Sequence, residues 1–320
     1  MTAADEARTL LRQYDLADAE LTSAAGVAND VFLTPSVVIR LNEGRFRDAF
    51  AHEAHMLNSL PATVPHPAAL AHGKRQNAGE YIILERVPGR TLDQVWPTLS
   101  PESRRRVTLD LARITQALHS IPLTPGMDNP WFTDALTVPI YADAYHAPIS
   151  HYLPLIASAQ SVCPDTATVL ADIQGFIEDR LGAFADEVAP VLVHADLHFR
   201  NVLAIDDRVT GVIDFEGCRP AAPDVELDMI IRFFGAEQQF GSTEVNDYSG
   251  VIGWLREGYP GLFAHPRLVE RIEVYEALWH LVQLHHWRPE YVSFRDPSDA
   301  FHDLLDGVFS SRVTTLLAPR

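Results

Sequence analysis

Hydrophobic positions in the first quarter of the chain follow the periods of a helix, a β-hairpin and a second helix. At the start, Leu10, Leu11 and Tyr14 share one face of an amphipathic helix that would cover the region behind it. Apolar and β-branched segments separated by polar turns then indicate strands. The elements predicted here are a helix over 4–14, a hairpin over 21–42, a helix over 46–60, and strands over 68–73 and 80–84.

The rest of the chain is predicted to be mainly helical. Residues 101–120 follow Ser100, a helix-capping residue type, and carry apolar residues at helical spacing, so we expect a central core helix there. Residues 129–159 are rich in aromatic residues and His and are broken by prolines, which favours packing between helices, with a substrate pocket as the alternative. Further helices are predicted over 166–184, 224–234, 245–257 and 267–287.

One strand-rich stretch interrupts these helices and carries the candidate chemistry. It reads VHADLHFRNVLAIDDRVTGVIDFE over 193–216, a pattern of strand, loop, strand, turn and strand. Asp196 and Asn201 are five residues apart on the loop, and Asp214 follows the last strand. Two carboxylates and an amide at one place offer hard oxygen ligands, the type that Mg²⁺ takes when it also holds substrate phosphates.

The two histidines of this stretch raise the alternative of a zinc site. His194 and His198 are four residues apart, but no Cys or third His stands at ligand spacing beside them. We therefore expect both rings to pack and to hydrogen-bond within the loop, where they would hold its backbone in shape.

The motifs HADLHFRN and IDFE resemble the HxDxxxxN pattern and the metal-binding Asp motif of the aminoglycoside phosphotransferase family, small-molecule kinases that also include choline kinase-like enzymes. The resemblance implies an α+β, bilobal, protein-kinase-like fold. A small β-rich N-terminal lobe would bind nucleotide over 1–87. A larger, mainly helical C-terminal lobe would hold catalysis and substrate over 88–320.

By position, the resemblance implies that Asp196 is the catalytic base and that Asn201 and Asp214 bind Mg²⁺. Arg40 stands where protein kinases place a Lys that reaches the nucleotide phosphates, and Glu53 matches the helix Glu that pairs with it. The alternative is that Arg40 and Glu53 are ordinary surface charges.

The same resemblance locates a nucleotide site for ATP, with GTP possible. The segment SAAGVANDVF, with the single glycine Gly26, resembles the turn that covers the phosphates. After the strand 80–84, Pro88 and Gly89 mark a break, and the backbone of Glu85 and Val87 would bind the adenine as a hinge. A plain linker between the lobes is the alternative for this break.

Three acidic features near the C-terminal half are assigned supporting roles. Asp224 and Asp228 lie four apart on one helix face and are expected to brace the catalytic loop. Glu216 is a candidate contact to the metal through water, or to the substrate. Carboxylates on the last long helix are candidates for binding a cationic substrate, unless they simply face water: Glu270, Glu273 and Glu276.

The composition of the chain limits the classes of ligand that we expect it to bind. The chain has 320 residues with 47% hydrophobic content, which can bury a sizeable core, and 43 acidic against 25 basic residues give a net charge of −18. This disfavours nucleic acid and anionic membranes and favours a cationic ligand, unless the acidity serves only solubility. Two cysteines, no basic-then-apolar start and no long apolar run predict a protein of the cytoplasm without membrane spans.

The sequence thus predicts ATP-dependent phosphoryl transfer to a hydroxyl of a small molecule, with an aminoglycoside or similar cationic antibiotic preferred as acceptor. Macrolides, choline or ethanolamine, homoserine and sugars remain open as acceptors, because a fold does not fix the substrate. An inactive nucleotide-binding module is an alternative of another class, against which stands the presence of Asp196, Asn201 and Asp214. A zinc-dependent hydrolase is the third.

Overall fold

The computed structural model describes residues 2–16, 20–24, 29–42, 48–76, 79–128, 149–186, 188–236, 246–285 and 297–318. The N-terminal part contains helices α1 (Ala3–Gln13) and α2 (Ala49–Ser59) and strands β1 (Thr22–Ala24), β2 (Asp30–Leu33), β3 (Val37–Leu41), β4 (Ala69–Lys74) and β5 (Glu80–Glu85). The strands form one antiparallel sheet in the order β1-β2-β3-β5-β4.

Strand β5 is covered on both faces, which explains why its apolar residues run without interruption. Tyr81 and Ile83 pack with Leu10 and Leu11 of α1 in a small cluster on the outer face. Ile82 belongs instead to the main core of the molecule, on the side of α2. The prediction that the first helix covers the strand region is therefore confirmed.

Helix α2 begins without a cap from its own N-terminal residue. Asp48 has a left-handed backbone and makes no side-chain cap. The Phe50 N–H instead donates to Glu80 Oε2 at 3.0 Å, so a carboxylate from β5 satisfies the start of the helix. This contact fixes α2 against the sheet and sets the position of Glu53 in its second turn.

The C-terminal part is mainly helical, as predicted. Its helices are α3 (Leu92–Val95), α4 (Pro101–His119), α5 (Ile149–Val162), α6 (Ala167–Glu178), α7 (Val225–Ala236), α8 (Val251–Gly258), α9 (Leu268–His285), α10 (Pro297–Leu305) and α11 (Val308–Leu317). Helix α4 buries Val107, Leu111 and Leu118 in the main core, which confirms a core helix at this place. The lobe boundary between residues 87 and 88 stays a prediction.

Short strands hold the central loop. Strands β7 (Val191–Val193) and β10 (Arg219–Ala221) form an antiparallel pair. Strands β8 (Val202–Ile205) and β9 (Arg208–Val212) form a hairpin, to which β6 (Arg90–Thr91) adds a third strand. The predicted pattern of strand, loop, strand, turn and strand over 191–214 is confirmed.

Two predicted helices have other bounds in the structure. The helix predicted over 245–257 begins only at Val251, because the Asp247 side chain accepts the Ser249 N–H at 2.9 Å and its carbonyl accepts from Trp96 Nε1 at 2.9 Å. Such local bonds compete with the first helical turn. The helix predicted over 166–184 ends at Glu178 and is followed by a separate 3-10 turn, Leu181–Phe184.

No helix in the described part of the chain is long and apolar enough to cross a membrane.

Candidate active site

The Arg40 guanidinium lies at the centre of a cluster of three carboxylates. Arg40, on β3, is 7% exposed, and its Nη1 donates to both oxygens of Glu53 at 2.8 and 2.9 Å. Its Nη2 donates to Asp214 Oδ1 at 2.9 Å and to Glu216 Oε2 at 2.7 Å. Arg40 and Glu53 are therefore buried partners, which overturns the alternative of ordinary surface charges.

This cluster contains more negative than positive charge. Burial and neighbouring acids raise the pKa of Glu53 despite the contact with Arg40, and burial and Asp214 raise the pKa of Glu216. Burial is the largest cause of both shifts, and the negative charge of Asp214 adds to it. Oxygen atoms of Glu53, Asp214 and Glu216 lie within 4.8 Å of one another, so the described residues offer an all-carboxylate group that could hold a cation.

Asp196 and Asn201 meet on the loop after β7. The Asp196 side chain is 39% exposed, so a solute can reach it. Desolvation by the surrounding protein, followed by the nearby charge of Asp214, raises the pKa of Asp196 to about 7. Asn201 Nδ2 donates to the backbone carbonyl and to Oδ2 of Asp196, both at 2.9 Å.

These two bonds also fix the orientation of the Asn201 amide. Both partners of Nδ2 are acceptors, so the nitrogen must face Asp196 and the oxygen must face away. An amide oxygen held in this way is a suitable ligand for a hard cation.

His194 connects the Asp196 loop to the strand that leads into Asp214. Its Nδ1 accepts the Asp196 N–H at 3.2 Å, and Nε2 lies 2.9 Å from the Ile213 carbonyl. Because Nδ1 accepts, Nε2 carries the proton and donates to that carbonyl. The ring of His198 stacks on Phe233 at 5.2 Å. Both histidines thus serve within the loop, as the sequence indicated.

Glu226 on α7 is the acidic residue that contacts this loop, and it was missed from the sequence. It is fully buried and accepts the backbone N–H of His194 and, at 3.3 Å, that of Ala195. Ala195 has a left-handed backbone with a φ of 67°, which the two bonds help to hold. The sequence does place Glu226 in the predicted helix over 224–234, but Asp224 and Asp228 stand beside it, and the sequence does not distinguish among the three acids.

The brace predicted from Asp224 and Asp228 is wrong, because both carboxylates are engaged by arginines. Asp224 accepts from Arg271 Nε at 2.5 Å and from Nη2 at 3.1 Å. Asp228 accepts from Arg232 Nη2 at 2.5 Å. The first pair joins the residue before α7 to α9, and the second lies within α7. Glu226, which is two residues from each of these acids, faces the loop instead.

Two of the three carboxylates of α9 are buried in ion pairs, contrary to the expectation that they meet a cationic substrate or face water. Glu273 is 3% exposed and accepts from Arg180 Nε at 2.5 Å. Glu276 is 6% exposed, accepts from Arg232 Nε at 2.8 Å and lies 3.0 Å from His280 Nε2. The remaining one, Glu270, pairs with Arg267 at the surface.

The predicted hinge follows the end of β5. The Glu85 N–H donates to the Ala68 carbonyl at 2.9 Å, so Glu85 still belongs to the sheet. The Val87 N–H finds no backbone acceptor among the residues that the structure describes. Gly89, with a φ of 129°, then turns the chain toward β6. Gly26, the residue predicted in the phosphate-covering turn, lies outside the described residues.

Comparisons with known proteins agree with this arrangement. Residues 23–261 match the model of the phosphotransferase enzyme family. Homoserine kinases of Rhodopseudomonas palustris, from strains ATCC BAA-98 / CGA009 and TIE-1, are each 28% identical to the chain over 266 residues. Each alignment covers 76% of this chain and 72% of the relative.

Solved structures with the same fold include the streptomycin–ATP–APH(2″)-IIa ternary complex, with a TM-score of 0.65 at 17% identity over 96% of this chain and 97% of that one. The GDP complex of aminoglycoside 2′-phosphotransferase-IIIa has a TM-score of 0.66 at 16% identity, over 96% and 100%. A thermostable mutant of aminoglycoside phosphotransferase APH(4)-Ia with AMP-PNP and hygromycin B has a TM-score of 0.63 at 20% identity, over 95% and 98%. These likenesses confirm the α+β, protein-kinase-like fold.

Proposed function

The chain belongs to the phosphotransferase enzyme family as a small-molecule kinase, and we propose that it transfers the γ-phosphate of ATP to a hydroxyl with Asp196 as the base. The observation that carries this proposal is the placement of Asp196. Its carboxylate is accessible and is held by Asn201. The same loop is joined to the chain before Asp214 by the bond between His194 and the Ile213 carbonyl. It would orient the attacking hydroxyl and accept its proton.

Two parts of the cluster would position the nucleotide. Arg40 is clamped by Glu53 through Nη1, which fixes the direction of Nη2. Nη2 donates to Asp214 and Glu216, and a phosphate oxygen would bind it in place of one of these carboxylates. The backbone of Glu85 and Val87 would bind the adenine, and Gly26 would let the covering turn approach the phosphates. Phosphoryl transfer is mainly a matter of positioning and charge neutralisation, so these contacts would supply much of the rate.

The donor atoms at the site fit Mg²⁺. Asp214 and Glu216 provide carboxylate oxygens, and Asn201 presents its amide oxygen away from Asp196. The excess negative charge around Arg40 would be relieved by a divalent cation. Asn201 and Asp214 are the proposed ligands. Held by these residues, a divalent cation would supply positive charge to offset the negative charge that develops in transfer.

For the acceptor we propose a small amino-bearing alcohol, with L-homoserine as the first candidate. The relatives at 28% identity over most of the chain are homoserine kinases. The α9 carboxylates that the sequence offered for a polycation are already paired with Arg180, Arg232 and Arg267. An aminoglycoside is the second candidate, favoured by the net charge of −18, and the solved structures at 16–20% identity support the fold alone.

An ATP-consumption screen tests the acceptor. The panel contains L-homoserine, choline, aminoglycosides, macrolides and simple sugars, each with Mg²⁺. We expect the highest kcat/KM with L-homoserine. A higher value with an aminoglycoside would replace the first candidate by the second, and nucleotide binding without turnover across the panel would support an inactive module.

Replacing the base tests the mechanism with any accepted substrate. We expect Asp196→Asn, which keeps the size of the side chain, to lower kcat by about 10²–10⁴-fold and to leave nucleotide binding in place. Asp206→Asn is the matched control, because Asp206 is exposed in the turn between β8 and β9 and Asn tolerates its left-handed backbone. Turnover of Asp196→Asn within a few fold of wild type would disprove the assignment.

A further inference from the structure

Behind the loop of Asp196, a line of polar side chains runs from the half-buried Tyr259 through the buried His119 to the buried Glu226. His119, the last residue of α4, has a side chain only 2% exposed. Its Nδ1 lies 3.1 Å from the Tyr259 hydroxyl, and its Nε2 faces Glu226 Oε1 at 3.6 Å. Glu226 in turn accepts the backbone N–H of His194 and Ala195. Three elements distant in sequence thus converge behind one strained residue.

The contact between His119 and Glu226 is longer than a hydrogen bond, and His119 Nε2 makes no hydrogen bond to another group within the described residues. The ring is held in this direction by Tyr259, which also packs edge-on against it with centroids 5.5 Å apart. A donor buried without any other partner is costly unless it serves the acceptor that it faces.

Glu226 needs such a partner. A fully buried carboxylate is expensive to keep ionised, and among the groups around it His119 is the side chain that points at its oxygen. Burial raises the pKa of Glu226, but the interactions with His119 and with His194 outweigh burial and bring the pKa below its usual value. The ionised carboxylate offers lone pairs for His119 and for both loop amides at once.

We propose that His119 is a positioning residue for phosphoryl transfer: its Nε2 faces and orients the buried Glu226 carboxylate, so that Glu226 holds the amides of His194 and Ala195 and thereby fixes Asp196. The inference rests on the proposed role of Asp196 as base. Neither His119 nor Glu226 touches the reacting atoms. Their effect passes through the backbone of the loop, where an error of about 1 Å can cost about 10²-fold in rate.

A pair of substitutions at His119 tests this directly. His119→Gln places an amide N–H near the position of Nε2 and should keep kcat within a few fold of wild type. His119→Leu fills the space without a donor, and we expect kcat to fall roughly ten- to a hundredfold while KM for ATP stays nearly constant. His119→Asn, whose shorter amide reaches only the Nδ1 position, replaces the Leu variant if that protein does not fold.

Amide hydrogen exchange gives a readout that needs no acceptor. The segment 191–202 should exchange faster in His119→Leu than in wild type and should be unchanged in His119→Gln. The proposal would be overturned if all variants showed equal exchange and equal kcat. It would also be overturned if His119→Gln and His119→Leu lowered kcat equally. If the wild type turns over no acceptor, the proposed function fails, whereas the exchange result still decides whether His119 positions the loop.

Discussion

At the scale of single residues, the site uses backbone conformations that most residues avoid. Ala195 and Asp214, with φ of 67° and 70°, are both left-handed, and each stands next to a candidate functional position or occupies one. An Asp tolerates this region, whereas Ala costs about 1–2 kcal/mol there. Hydrogen bonds to Glu226 and to His194 hold the loop from both sides and offset this conformational energy.

The contacts of Arg40 depend on the two terminal nitrogens of its guanidinium group. One nitrogen contacts Glu53 and the other contacts Asp214 and Glu216, an arrangement that a single ammonium cannot copy. We expect Arg40→Lys to raise KM for ATP about tenfold or more and to change kcat less. Steady-state kinetics with varied ATP measure both constants. An unchanged KM would mean that Arg40 does not contact the nucleotide.

The raised pKa of Asp196 predicts a pH dependence. A base acts in its ionised form, and a carboxyl with a pKa of about 7 becomes protonated as the pH falls through that value. We expect kcat/KM for ATP to fall about tenfold for each pH unit below about 7, and to level off above it. Rates measured at constant Mg²⁺ between about pH 5.5 and 9 check this. A profile that stays flat to pH 5.5 would contradict it.

At the scale of elements, the turn between β5 and β6 depends on one glycine. An added Cβ on Gly89 would lie 2.8 Å from Thr210 Oγ1 and 2.9 Å from the Ala204 carbonyl, and the φ of 129° is one that Gly alone adopts readily. The Thr210 hydroxyl donates to the Pro88 carbonyl at 2.6 Å, so the turn is tied to β9. The hairpin of β8 and β9 therefore constrains the backbone of the hinge region through its contacts with Pro88 and Gly89.

We expect Gly89→Ala to lower the free energy of unfolding by about 1–3 kcal/mol, because strain and a close contact act together. Gly175→Ala is the control: Gly175 is exposed inside α6, and nothing lies within 4 Å of an added Cβ. That substitution should stabilise by about 0.5–1 kcal/mol. Urea unfolding measures both, and a Gly89→Ala protein as stable as wild type would refute the account.

At the scale of the whole molecule, one buried arginine links the late helices to the active-site region. Arg271 on α9 is fully buried and bonds to Asp224 before α7, to the Ala183 carbonyl at 3.2 Å and to the Tyr275 hydroxyl at 2.8 Å. Asp224 precedes the helix that carries Glu226. A long-range ion pair thus sets where α7 begins relative to the loop that carries Asp196.

We expect Arg271→Met to destabilise the protein by about 3–5 kcal/mol, because it leaves the buried Asp224 without a counter-charge. Adding Asp224→Asn to this variant should recover part of the loss, since the uncompensated charge is then gone. Thermal and urea unfolding of the single and double variants give the comparison. A double variant less stable than Arg271→Met would count against this explanation, and Arg267→Met, at the surface, should change little.

The sequence by itself determined the elements and the phosphate chemistry. Asp196, Asn201 and Asp214 lie within one short strand-and-loop segment, where local chain geometry brings them together. Helix α4 follows from its local hydrophobic period, and β5 follows from a short uninterrupted apolar segment. Family membership and the kinase fold were predictable for the same reason, because the motif is continuous in sequence.

Only the tertiary structure decided which charges meet. In the folded chain Arg40 contacts Asp214, which is 174 residues away. Glu226, and not Asp224 or Asp228, contacts the loop of Asp196. The α9 carboxylates pair with arginines. Neighbouring acids on a helix are nearly equivalent in sequence, and the difference between them is a rotation about the helix axis that packing alone sets.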